Sequence, residues 1–126
     1  PPILGVMMVN ALAASDRILI PVQTEFLAMK GLERMIRTLT IMQKSRKTPF
    51  KVTIVPTMYD KRTKASLQTL TQLKDDYPNQ VWTSAVPIDT KFRDASLKRL
   101  PASHFASRSR GVFAYKALLD YLIEQG

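Results

Sequence analysis

Three short apolar runs in this chain each end at or beside a proline. The first is Arg17-Ile18-Leu19-Ile20-Pro21-Val22, the second Lys51-Val52-Thr53-Ile54-Val55-Pro56, and the third runs from Val81 to Val86 with Pro87 just past it. Short β-branched runs of this kind predict buried strands of a parallel sheet. Between them lie stripes of helical period. Leu32, Met35, Ile36, Leu39 and Met42 fall on one side of a helix whose other side carries Lys30, Arg34, Arg37 and Lys44. Thr24 is suited to cap that helix, with Glu25 in its first turn, and Pro49 disfavours helix in the residue before it. Leu67, Leu70, Leu73 and Tyr77 mark a second helix, closed by Asp75-Asp76-Tyr77-Pro78-Asn79. A last helix is predicted from about Ser109 to Ile123, with Val112, Tyr115, Leu119 and Leu122 facing inward.

The order is therefore βαβαβα, the pattern of an α/β fold with parallel strands. The expectation is a partial doubly wound sheet of about three parallel strands with flanking helices, in one partial domain spanning residues 1–126. Strands apolar on both faces ask for more neighbours than three strands supply. Before the first strand, Leu4 to Ala14 reads as a short helix. Residues 88–108 are polar, basic and irregular, with one short helix expected from Asp89 to Leu97.

The absence of cysteine excludes disulfides, Cys-ligated zinc, iron–sulfur clusters and thiol catalysis, and the single histidine, His104, excludes His-rich metal sites. No run is long and apolar enough for a transmembrane helix. The net charge of +9 favours a polyanionic partner, nucleic acid or an anionic membrane surface. That charge is concentrated. Residues 30–64 hold ten of the 19 basic residues against two acidic ones, and residues 91–126 hold seven against three. Solvated faces remain the plainer reading of both stretches.

In doubly wound sheets, ligands sit beyond the carboxyl ends of the strands. All three strands here end in polar punctuation: Gln23-Thr24-Glu25, Thr57-Met58-Tyr59-Asp60 and Ile88-Asp89. Simple strand termination would also place proline there. None of the four glycines precedes a Lys-Ser or Lys-Thr pair, so no phosphate-cradling loop is present, and this chain alone should not hydrolyse nucleotide. A Ser103, His104, Asp89 triad can be composed on paper, but no nucleophile-elbow pattern supports it.

Pro1-Pro2-Ile3-Leu4-Gly5, Asn10-Ala11-Leu12-Ala13-Ala14-Ser15-Asp16 and the run from Ile18 to Leu32 resemble the middle of ParA/Soj-type partition ATPases. The stretch Thr57-Met58-Tyr59-Asp60 with Arg62-Thr63 is similar to the family's Thr-Met-Tyr-Asp-x-Arg-Thr segment. Ser109-Arg110-Gly111 with Ala114-Tyr115 is similar to the start of its last helix. One stretch departs: the family's Glu-Ala-Pro element after the third strand is not kept in Asp89 to Leu97.

The resemblance implies the C-terminal half of a P-loop NTPase-like ATPase, with the P-loop lying upstream of Pro1. It implies ATP and Mg as cofactors of the intact protein, with none expected in this chain alone. It also implies an ATP-dependent homodimer, non-specific DNA as ligand, a partner protein that stimulates the ATPase, and a cytoplasmic, nucleoid-associated place of work. Thr57, Met58, Asp60, Pro87, Ile88 and Asp89 are expected to flank the adenine. Arg93, Lys98, Arg99, Arg108 and Arg110, opposed only by Asp94, are expected to contact DNA phosphates. The stripe Lys30, Arg34, Arg37, Lys44 is a rival basic site. Two alternatives stay open: a MinD-like membrane-cycling ATPase, disfavoured by the acidic chain end, and a standalone basic nucleic-acid-binding domain. Without the upstream strands, an exposed sheet edge should make the chain self-associate.

Overall fold

The first two apolar runs are parallel strands lying side by side. A computed structural model describes residues 17–89 and 110–125. Within them, the elements run β1 (Arg17–Gln23), α1 (Phe26–Gln43), β2 (Lys51–Thr57), α2 (Lys64–Asp76) and α3 (Arg110–Gln125). β1 pairs with β2 in parallel, from Arg17 opposite Lys51 to Gln23 opposite Thr57. The motifs before Arg17, the expected helix Leu4–Ala14, the stretch beyond Asp89 with its short helix, and Ser103 and His104 lie outside the described residues.

Helices cover both faces of the sheet. On one face Ile18, Ile20, Val22 and Ile54 pack with Leu32 and Leu39 of α1 and Leu73 of α2. Met35 and Ile36 join them, so the apolar stripe read on α1 is its packed side. On the other face Val55 packs with Trp82, Val86 and Leu118 of α3. Successive strand residues point to opposite faces, which is why Ile54 and Val55 enter different cores. Full burial of a side chain such as Ile54 or Leu73 is worth about 1.5–3 kcal/mol. Arg17 at the start of β1 donates from Nη1 to the Leu122 carbonyl at 3.0 Å. This cation sits on one of the last carbonyls of α3, where the helix leaves them unpaired and the dipole favours positive charge.

Four expectations are corrected. β1 is not buried on both faces, because Leu19 and Pro21 are exposed while Ile18, Ile20 and Val22 are buried. Among the described residues, the buried apolar cluster under α3 takes Val55 from the strands. The third run is not a continuous strand. It meets β2 through one isolated parallel bridge, Val81 to Ile54, and a second, Pro87 to Tyr59, joins the residues just past both. Pro56 is the reason. Ile54 points its backbone N–H and C=O at this segment, bonding Gln80 and Trp82, so Pro56 must point the same way. It has no N–H to give, and pairing resumes only where Val86 N–H donates to the Pro56 carbonyl.

The inward residues of the last two helices also differ. On α2, Leu67 is exposed, and Ser66, Thr69 and Leu73 face in. On α3, Tyr115 and Leu119 are exposed, whereas Val112 and Leu118 are buried and Ala114, Tyr121 and Leu122 pack beside them. Finally, Thr24 does not cap α1. Glu25 holds the cap position without a side-chain bond, and Thr24 is turned inward.

Candidate functional site

Thr24 and Ser66 form a buried polar hub where the turns after β1 and β2 meet. The Thr24 N–H donates to the Thr57 carbonyl at 3.0 Å. Its hydroxyl lies 3.2 Å from the carbonyls of both Thr57 and Met58 and 3.1 Å from the Ser66 hydroxyl. Ser66 in turn accepts from the Asp60 N–H at 3.2 Å. Thr63 caps α2, its hydroxyl oxygen accepting from the Ser66 N–H. Every buried side-chain polar atom among the described residues has a partner, as burial in a low-dielectric interior demands. The hub fixes Met58 at φ 52, left-handed backbone that a residue with a side chain adopts at a cost of about 1–3 kcal/mol.

Beyond the hub, the end of β2 and the end of the third segment are stitched together. Tyr59 N–H donates to the Val86 carbonyl, and Ile88 N–H donates to the Tyr59 carbonyl, each at 3.0 Å. A cleft of about 410 Å³ opens beside this seam, on the carboxyl side of the strands. Tyr59, Asp60, Pro87, Ile88 and Asp89 line it, with Arg110 at the start of α3. The α3 end is anchored by Asp89, whose Oδ2 accepts from the Gly111 N–H at 2.8 Å. A carboxylate on the first turn of a helix satisfies an orphan N–H and meets the positive end of the dipole.

The charges in the cleft answer one another. Arg62 grips Asp60 with two parallel bonds, Nε to Oδ1 at 2.9 Å and Nη2 to Oδ2 at 3.0 Å, and its backbone N–H adds a third to Oδ1. The Arg62 side-chain bonds, then its backbone bond, hold the Asp60 carboxyl down to about 2 from an ordinary 3.8, against partial burial; the nearby positive charges of Arg62 and Arg110 help. The same pairing raises Arg62.

Of the residues expected at the adenine, Asp60, Pro87, Ile88 and Asp89 share this cleft. Thr57 and Met58 lie on the adjoining turn, with Thr57 bonded into the hub and Met58 half exposed. Arg110, expected at DNA, is exposed and lines the same cleft. Arg93, Lys98, Arg99 and Arg108 lie outside the described residues. Sequence reasoning missed Lys61, Arg62 and Ala85 as cleft residues, and Thr24 and Ser66 as the hub. The signal for Arg62 was present: an aspartate readily accepts from the N–H two residues on, and that turn brings the guanidinium back over the carboxylate. Nothing local marks Ser66, which meets Thr24 from a distant part of the chain. Among the described residues no group of three or more His, Cys, Asp or Glu could hold a metal ion.

Residues 1–52 match the model of a family described as an AAA domain. The whole chain is 32% identical to the sporulation initiation inhibitor protein Soj of Bacillus subtilis, covering 50% of that protein. It is 31% identical over 98% of its length to the chromosome-partitioning ATPase Soj of Treponema pallidum, covering 49% of it. The chromosome partitioning protein ParA of Myxococcus xanthus is 30% identical over 94% of the chain, which covers 42% of that protein. Among solved structures, cobyrinic acid a,c-diamide synthase from Mycobacterium smegmatis with bound ADP and magnesium superposes with a TM-score of 0.70 at 29% identity. That match covers 98% of this chain and 44% of the other. A structure of the same enzyme with a bound ATP analog and magnesium gives a TM-score of 0.71. The chain spans about half the length of the relatives it matches.

Proposed function

The ParA/Soj-type ATPase family is the one this chain fits, and from that premise we propose that it is the C-terminal portion of a partition ATPase. In this reading the longer protein binds ATP, dimerises, holds DNA non-specifically and positions a DNA or protein cargo. It works in the cytoplasm on the nucleoid, under a partner protein that stimulates hydrolysis. No helix among the described residues is long and apolar enough to cross a membrane.

The observation that carries this reading is the stitched cleft at the carboxyl ends of the strands, where doubly wound folds receive ligands. Its residues suit the base half of a nucleotide. Pro87 and Ile88 offer apolar surface for a flat ring, and Tyr59 to Asp60 forms the facing wall. Met58, strained and half exposed on the adjoining turn, would cover the ring when a base enters. Thr57 and Asp89 hold the two turns in register, through Thr24 and through α3. The sequence has no glycine-rich loop and the described residues no acidic cluster, so in this reading residues outside this chain hold the phosphates and magnesium. When bound, ATP would supply the phosphoanhydride bond that the longer protein hydrolyses.

DNA would be held by Arg93, Lys98, Arg99, Arg108 and Arg110, the last standing where the cleft and α3 meet. Binding through phosphates releases counterions and is therefore salt-sensitive. The test replaces these five residues by alanine in the full-length ATP-bound protein and follows binding to random duplex DNA against salt. Weaker binding with a salt slope shallower by roughly one per lost contact supports the patch. Unchanged affinity and slope refute it.

A further inference from the structure

A second basic surface, remote from the cleft lining, runs along the outer side of α1. Leu27, Lys30, Arg34, Arg37, Ile41 and Lys44 are all exposed and recur every three or four residues, so they form one stripe. Leu27 is 73% exposed and Ile41 66%. They stand fourteen residues apart, about 21 Å along the helix axis, with cations between and beyond them. Two carboxylates stand near one side of the stripe: Glu33, 3.8 Å from Arg37, and Asp76 of α2, which lines a cavity with Lys30 and Glu33. Lys30 lies over the Phe26 ring at 5.8 Å, which keeps its charge at the surface.

Gly31 sits on the edge of the same stripe. A glycine inside a helix weakens it relative to alanine, so its presence calls for a reason. The usual internal one, a crowded neighbour, is absent: a Cβ added at Gly31 meets nothing within 4 Å. The space it leaves faces outward.

We propose that the outer face of α1 is a docking surface for an acidic amphipathic helix of a partner protein. The charge pattern selects an acidic occupant, and the two exposed aliphatic side chains select a protein over a bare phosphate backbone, which would leave them in water. Gly31 lets the incoming backbone approach closely. A second copy of this chain would bring the same four cations against themselves. Further parts of the same sheet would add at the strand edges, beside the helix layer and not upon it, because the inner side of α1 already packs on β1 and β2. The surface resembles other helix-on-helix recognition, in which apolar anchors give affinity and charges give partner choice.

The test uses the full-length protein and a synthetic helical peptide of about 20 residues, long enough to span the stripe. The peptide carries glutamates along one face and leucines fourteen positions apart, and a scrambled peptide of equal composition serves as control. Binding is followed by fluorescence anisotropy at low and moderate salt. The designed peptide should bind at least about fivefold tighter than the scrambled one, since apolar anchors dominate such interfaces. Arg34→Glu with Arg37→Glu should weaken it about tenfold or more. Gly31→Ala should raise Tm yet weaken peptide binding several-fold, which a merely structural glycine would not do. Equal binding of the two peptides overturns the proposal. So does a charge reversal that leaves the peptide bound but abolishes random duplex binding, or one that alters only self-association.

Discussion

The cleft and the outer face of α1 are both basic, but their charges are employed differently. At the cleft, Arg62 is locked onto Asp60, and Asp89 is spent on the first turn of α3. On α1, Lys30, Arg34, Arg37 and Lys44 face solvent, and among the described residues the one ion pair they make is the 3.8 Å contact of Arg37 with Glu33. A charge count cannot separate these cases, although one region is part of the folded architecture and the other is spare to it. Of the two regions, substitutions at the cleft should therefore cost stability, and substitutions on the outer face of α1 should leave the fold alone.

The largest effect is expected at the hub. Thr24→Val keeps the shape but removes the hydroxyl that serves Ser66 and the Thr57 and Met58 carbonyls. A buried polar group left short of a partner costs about 2 kcal/mol, which urea unfolding of the full-length protein would register. Asp89→Ala removes the bond to Gly111 and should cost about 1 kcal/mol, as loss of a helix-terminal side-chain bond does. Asp89→Asn, which keeps an accepting oxygen, should recover much of it. A null effect of both would erase the contrast between the two regions.

On α1 the signs reverse. Gly31→Ala should stabilise by about 0.5–1 kcal/mol, since the added methyl meets nothing. Lys30→Ala and Arg34→Ala, exposed and without a close carboxylate, should fall within about 0.5 kcal/mol of the parent. The smallest effect is a titration. Asp60 is held near 2, so the part of the stability it contributes is complete above about pH 4 and is lost as pH falls toward 2. In Arg62→Ala the carboxyl should titrate higher but still below its ordinary 3.8, because the backbone N–H of residue 62 goes on donating to it, and this acid-dependent part should shrink. Carbon-detected NMR of the Asp60 carboxyl measures both.

Helical periodicity made α1 legible, because most of its apolar residues, Phe26, Leu27 and Ile41 apart, occupy one side and that side proved to be the packed one. It failed on α3, where Val112, Phe113, Ala114, Tyr115, Leu118, Leu119, Tyr121, Leu122 and Ile123 are apolar almost all round. Several phases fit such a helix, and the contact with Val55, Trp82 and Val86 chose the one that leaves Tyr115 and Leu119 outside. The third run had strand composition, but Pro56 on the neighbouring strand decided its pairing, a constraint invisible in the run itself. At the site, the strand-end turns could be located from their prolines and polar residues. The Thr24–Ser66 bond could not, because it joins residues 42 positions apart.

The central claim is that the cleft beside the seam of Tyr59–Asp60 and Pro87–Asp89 receives the adenine of ATP. A crystal structure of the full-length protein with a non-hydrolysable ATP analogue and magnesium tests it most directly. The base is expected in the cleft beside these two stitched turns, with Pro87 or Ile88 against the ring. A base lying more than one turn of loop away from both, with the nucleotide otherwise well ordered, would contradict it.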